Sequence, residues 1–352
     1  INLLSNSIKY NKENGHIDSS TRSEHVSYVD SISNTIANYL GLNTELTKAI
    51  AISHDIGHSP FGHKGEKVLN EISLRDIGQS FWHEKNGVHF VDDIELLEDA
   101  NGDLKNLDLT YAVRDGIISH CGEIDENSLK PRSQAIDLKD YTKPNEYSPY
   151  TWEACVVKIS DKISYIGRDI EDAFHLNLLN NEKLEELKNI LGIQNKEALN
   201  NPNIINELII DICNNSTIEK GICFSTEKLN LINKIKEFNY NNIYSHPRLD
   251  ASNEYFKIII NRIYNALKNA YDKENTLSNL EELKKFYPQT IIRFKDWLHK
   301  YWNLTDRTNT NLKNKIIYDY TNPQDYYKAI IDFIAGMTDN YAIDMYNEIV
   351  SF

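Results

Sequence analysis

Apolar residues recur at helical spacing along most of the chain. In residues 23–40, Val26, Val29, Ile36 and Leu40 follow a 3.6-residue repeat, and the Gly-Leu-Asn after them ends the element. Thr44 can cap a second helix, whose apolar run from Leu46 to Ile52 leads into His54-Asp55 and stops at Gly57 and Pro60. Residues 108–120 and 151–178 carry two more helical patterns, the second long and rich in apolar positions. Between them, 121–150 is polar and Pro-containing and reads as a loop with room for a short strand pair. The segments 180–215 and 225–245 are helices rich in Asn, Lys, Leu and Ile; 250–300 reads as a helical pair and 324–350 as a final helix. "KNKIIYDY" (313–320) is the best strand candidate. There is no internal repeat and no phosphate-cradling glycine pattern. The expected fold is mainly α: a helical bundle with a helical C-terminal extension and minor β. We expect a core over 1–250 and a helical lobe over 251–352.

Charge narrows the partners. A net charge of −14 argues against broad nucleic-acid or acidic-membrane binding. A polyanion could still be held in a local basic pocket or through a metal ion. The most apolar stretch, "AIIDFIAGM" (329–337), is too short to span a bilayer and contains Asp332. The chain begins without Met and without a signal-peptide apolar region, so we expect N-terminal sequence to precede Ile1. Cys121, Cys155, Cys213 and Cys223 are scattered without C-x-x-C pairs, as expected of reduced thiols in a cytoplasmic protein.

"HDIGHSPFGHKGE" (54–66) concentrates the candidate chemistry. It lies close to the zinc-protease pattern H-E-x-x-H, in which two histidines ligate from successive helical turns. That arrangement needs the helix to continue through the second histidine, which Gly57 and Ser59-Pro60 disfavour. The alternative is that His54 and Asp55 both ligate; neighbours on a helix diverge by about 100°, so an ion between their directions is within reach of both. Further ligands must then come from elsewhere. His25 lies beside the apolar side of its helix, and Asp161 is an acid among Val156, Val157, Ile159 and Ile163. A buried carboxylate costs several kcal/mol unless it is paired or bound to a cation. Taken singly, Asp161 reads as a salt-bridge partner and His25 as a satisfied core histidine.

The order H…HD…D changes that balance, because it resembles the HD phosphohydrolase superfamily. "RSEHVSYVDSISNTIANYLGLNTELTKAIAISHDIGHSPFGHKGE" (22–66) resembles more closely its deoxynucleoside-triphosphate triphosphohydrolase branch, which includes bacterial dGTPases and the mammalian sterile-alpha-motif HD enzyme. "FWHE" (81–84), "GIISH" (116–120), "DKISYIGRDIEDA" (161–173), "YSHP" (244–247) and "DFIAGMTDNYA" (332–342) continue the match in order. The resemblance implies an HD-domain helical bundle with His25, His54, Asp55 and Asp161 as metal ligands and His63 with Glu66 as the catalytic pair. It implies that His58 and His83 contact phosphate, that Arg22 lies near the nucleotide, and that Lys162, Tyr165 and Asp169 line its pocket. The last acid and Tyr165 share a helix face with Asp161. Tyr244 would lie under the sugar, and Lys236 would take a phosphate-binding position. The family's Gln that reads the 3′-hydroxyl would fall near Ser7, where there is none. His16, His89, His120, His175, His246 and His299 read as structural.

The implied activity is metal-dependent hydrolysis of deoxynucleoside triphosphates, dGTP or several, to deoxynucleoside and tripolyphosphate. The cofactor would be Mn²⁺, Mg²⁺ or a transition metal such as Fe, Co, Ni or Zn. The family further implies a homo-oligomer and a nucleotide effector, with no membrane and no nucleic-acid substrate. The alternatives are another HD-superfamily nucleotide phosphohydrolase, which leaves the later motifs unexplained, and a non-catalytic nucleotide-binding regulator, which decay of a ligand or of His63-Glu66 would favour.

Overall fold

The computed structural model describes residues 22–121, 128–175, 178–192 and 201–351. The first helix, α1 (Arg22–Leu40), is followed by α2 (Thr44–Ser53), so the helix ends before His54 and does not run on to His58. Asn43 rather than Thr44 caps α2, its side chain accepting from the N–H groups of Glu45 and Leu46 at 3.1 Å each. Next come α3 (Gly62–Asp76) and α4 (His83–His89), then a hairpin of β1 (Leu96–Glu98) and β2 (Leu104–Asn106). Beyond it lie α5 (Tyr111–Ser119), α6 (Trp152–His175), α7 (Asn181–Leu191), α8 (Asn201–Asn215) and α9 (Thr226–Asn239). A wide turn over Tyr240–Tyr244 ends α9. The chain continues through α10 (Asp250–Lys268), α11 (Thr276–Leu283), α12 (Pro288–Tyr301), α13 (Pro323–Ala335) and α14 (Asp339–Val350).

Three further expectations change. Residues 250–300 form three helices rather than a pair. The expected final helix is two, because the Thr338 side chain accepts from the Tyr341 N–H and starts α14 afresh after Gly336. The strand candidate 313–320 forms no strand. Its backbone bonds go to the end of α12 and the turn after it, where Tyr301 O accepts from Ile317 N–H at 3.0 Å and Asn303 N–H donates to Tyr318 O at 3.1 Å. Residues 128–150 lie within the expected loop, and a bridge between Leu129 and Ile222 ties its start to the later chain. Buried Asp115 on α5 holds this loop, accepting from Arg132 and, at 2.7 Å, from the Tyr150 N–H.

The described residues fall into two compact units. One comprises 22–54 and 111–251. At its centre α6 packs against α1, α2, α5, α8 and α9, burying Val156, Ile159, Ile163, Ile166 and Ile170. Each such side chain is worth about 1.5–3 kcal/mol when fully removed from water. The other unit comprises 55–110 and 252–351. There α3 packs on α13, and α12 on α11, α13 and α14, around Leu69, Ile72, Phe90, Ile263, Phe294 and Ile330. None of the four cysteines forms a disulfide. No described helix is long and apolar enough to cross a membrane.

Candidate metal centre and histidine cluster

In the α6-centred unit, residues from three helices converge. His25 comes from the first turn of α1, His54 from the residue just past α2, and Asp161 from the middle of α6. His25 Nε2 lies 3.0 Å from Asp161 Oδ1, and His54 Nε2 lies 3.8 Å from the same oxygen. Their donor atoms all fall within 4.8 Å of one another.

Hydrogen bonding fixes which ring nitrogens carry protons. Ser164 Oγ donates to the Asp161 carbonyl at 2.7 Å, so toward His25 Nδ1, at 3.2 Å, it can only accept. His54 Nδ1 faces the Ala51 carbonyl at 2.7 Å and must donate to it. In the neutral rings both Nε2 atoms therefore carry lone pairs, and both point at a carboxylate oxygen. One proton could satisfy one of these contacts but not both. A divalent cation satisfies all three donors, and the outward bonds of the two Nδ1–H groups are the usual orienting shell of metal-bound histidines. The site fits a metal.

The other unit holds Asp55, His58, His63, Glu66 and His83. Here the "GHSPFGH" segment turns sharply. Phe61 adopts φ 64°, its N–H donates to Asp339 Oδ1 at 2.8 Å, and its ring stacks on Phe256 at 4.3 Å. Gly57 lies against the backbone of α4: a Cβ there would sit 2.0 Å from the His83 carbonyl oxygen. Asn86 Nδ2 donates to the Gly57 carbonyl at 2.8 Å. This contact brings the buried His83 ring flat onto His58, with centres 3.8 Å apart.

Glu66 Oε2 receives two imidazoles, His83 Nδ1 at 2.9 Å and His63 Nδ1 at 3.4 Å. Burial pushes the Glu66 carboxyl upward, but the hydrogen bonds from His63 and His83 outweigh it and hold the group well below the usual carboxylate range. Glu66 is thus a fixed anion that orients two rings, the shorter contact being to His83. His58 Nε2 lies 3.3 Å from Asp55 Oδ1. His63 is largely exposed, with 75 % of its side chain accessible.

The remaining candidates belong to the α6-centred unit. Lys162 is buried, while Tyr165 and Asp169 are half-buried on α6. Tyr244, at the end of the wide turn, donates its hydroxyl to Asp169 Oδ2. Lys236 is half-buried in the last turn of α9. Arg22 opens α1, but its side chain and Ser7 lie outside the described residues.

Several supporting residues escaped the sequence reading. Ser164 sets the His25 tautomer, and its only signal was its position three residues after Asp161. Asp339 and Asp332, in the late "DFIAGMTDNYA", hold Phe61 and His89, the latter through Asp332 Oδ2 at 2.9 Å from Nε2. The motif was visible, but its partners are more than 240 positions away in the chain for His89 and further for Phe61.

An HD domain matches residues 22–166, and a phosphohydrolase-associated domain matches 295–348. The chain is 29% identical over 330 residues to a deoxyguanosinetriphosphate triphosphohydrolase-like protein of Caldanaerobacter subterraneus subsp. tengcongensis, covering 94% of this chain and 74% of the relative. Proteins of the same description from Clostridium tetani and Rickettsia typhi are each 28% identical, over 94% and 93% of this chain and 75% and 82% of their own lengths.

Proposed function

We propose that this chain, which carries an HD domain and a phosphohydrolase-associated domain and is similar over most of its length to deoxyguanosinetriphosphate triphosphohydrolase-like proteins, hydrolyses deoxynucleoside triphosphates to deoxynucleoside and tripolyphosphate with a divalent cation. The observation that carries this reading is the convergence of two Nε2 lone pairs on one Asp161 oxygen. His25, His54 and Asp161 would hold the cation, with Asp55, the next residue after His54, as the fourth ligand. When bound, the ion supplies Lewis acidity at a phosphoryl oxygen and lowers the pKa of its water.

The chain's own groups do the rest. His63 moves a proton between water and the leaving 5′-oxygen, and Glu66 keeps its ring oriented. His58 and His83 donate to phosphate oxygens, and Lys162, Lys236 and Arg22 add positive charge in an otherwise acidic protein. Tyr244 packs under the sugar, and Asp169, which accepts the Tyr244 hydroxyl in this structure, accepts the 3′-hydroxyl of substrate. A ring under C2′ leaves a ribose hydroxyl without a partner, at about 1–3 kcal/mol, so dNTPs are preferred over NTPs. By family resemblance the protein acts in the cytoplasm as a homo-oligomer with a nucleotide effector.

Product analysis by ³¹P NMR, with a panel of dNTPs and NTPs and Mg²⁺ or Mn²⁺, tests the proposal. Tripolyphosphate as the first phosphorus product is expected. Orthophosphate with dNDP would move the protein to a broader HD phosphohydrolase activity, and nucleotide binding without turnover would make it a regulator.

A further inference from the structure

The tripeptide Ile-Ser-His occurs at two helix ends, Ile52-Ser53-His54 closing α2 and Ile118-Ser119-His120 closing α5. The two ends are built alike. His54 Nδ1 donates to the carbonyl three residues back, Ala51, at 2.7 Å, and His120 Nδ1 does the same to Ile117 at 2.6 Å. A carbonyl can only accept, so the neutral His120 ring, like that of His54, keeps its lone pair on Nε2. Both rings are buried, their centres 5.0 Å apart at 78°, closer than the 5.5 Å between His25 and His54. Ring nitrogens of His54 and His120 lie within 4.8 Å.

Two features hold His120 there. Gly116 lets α5 approach α2, since a Cβ at that position would fall 2.6 Å from Ile50 Cγ2. Buried Lys158 on α6 donates to the carbonyls of Ser119, at 3.1 Å, and Cys121, the residues on either side of His120, and to Asn145 Oδ1 at 2.7 Å. A buried ammonium is a costly way to hold a backbone that only had to seat a packing residue.

We infer that His120 is a further ligand of the divalent cation, through Nε2, and that Lys158 positions it. The inference rests on the cation reading of His25, His54 and Asp161.

The test is binding of Co²⁺ and Mn²⁺ by the full chain, followed by calorimetry and by the visible spectrum of bound Co²⁺. His120→Gln is expected to weaken binding about 10–100-fold, the range seen when a residue supporting a metal site is lost, and to alter the Co²⁺ spectrum. Unchanged affinity, or weaker binding with an unaltered spectrum, would overturn ligation by His120. If the variant does not fold, ¹⁵N-histidine NMR of the wild type with Zn²⁺ decides instead. A His120 Nε2 signal that moves with those of His25 and His54 supports the inference; one that stays while theirs move overturns it. Wild-type protein that binds neither ion overturns the cation reading as well, whereas wild-type binding with unchanged affinity in His120→Gln overturns the His120 inference alone.

Discussion

His25 presents Nε2 to Asp161 Oδ1 at 3.0 Å, and the Ser164 hydroxyl, committed to the Asp161 carbonyl, keeps the His25 proton on the opposite nitrogen. The pair is therefore arranged to share a cation. Asp161→Ala is expected to abolish tight Mn²⁺ or Co²⁺ binding while leaving the circular-dichroism spectrum intact. His58→Ala should keep the metal, because His58 is stacked on His83 and is assigned to phosphate. Metal analysis of the two variants checks this, and loss in His58→Ala would favour the protease-like arrangement.

His63 is exposed and tied to Glu66, as a proton-moving group open to substrate should be. His63→Ala is expected to lower kcat by about 10²–10⁴-fold, the usual range for general acid–base catalysis, with metal content unchanged. A near-wild-type rate would remove His63 from the chemistry. Glu66→Gln should also lower kcat, since the anion orients both His63 and His83.

Gly57 tests whether the α4 contact matters. An alanine Cβ would lie 2.0 Å from the His83 carbonyl and 2.2 Å from the Gly87 nitrogen, both backbone atoms that cannot rotate aside. Gly57→Ala should destabilise the protein by about 1–3 kcal/mol, as overpacking does. Thermal denaturation measures it, and an unchanged Tm would show that α4 can withdraw without cost.

His89 links α4 to α13 by donating to Asp93 Oδ2 at 3.1 Å and to the fully buried Asp332 Oδ2 at 2.9 Å. Burial lowers the His89 pKa and so does Lys328, but the carboxylates outweigh both and raise it above its ordinary 6.5. Asp332 is held well below the usual carboxylate range, because Lys328 and His89 overcome its burial. A raised histidine pKa contributes stability that is complete below 6.5 and is lost as pH rises through the folded value. The Asp332 contribution is present above the carboxylate range and is lost in strong acid. His89→Ala should cost about 1–3 kcal/mol at mildly acidic pH. The gap to wild type should narrow in alkaline buffer, as urea denaturation across pH would show. A gap that widened with pH would reverse the assigned sign.

Local pattern was enough for the long elements. α1, α2 and α6 were legible because their apolar stripes are uninterrupted, and Gly57 and Pro60 announced that the helix before His54 would stop. Errors fell where two signals competed over a few residues. Asn43 and Thr44 are adjacent and both can cap, and Gly336 with Thr338 splits an apolar stretch that otherwise reads as one helix.

By itself the sequence determined the helical class, the histidine-rich turn and an acid embedded in an apolar helix that needed a counter-charge. Only the tertiary structure decided that one Asp161 oxygen would meet both His25 and His54, that Glu66 would hold His83 more closely than His63, and that His120 would pack on His54. It also decided that 55–110 would share a core with 252–351. The reason is physical. Periodicity records which face of a helix must leave water, because that cost is local. Which distant face covers it depends on shape and close approach, such as Gly116 against Ile50, and no spacing within one element encodes that.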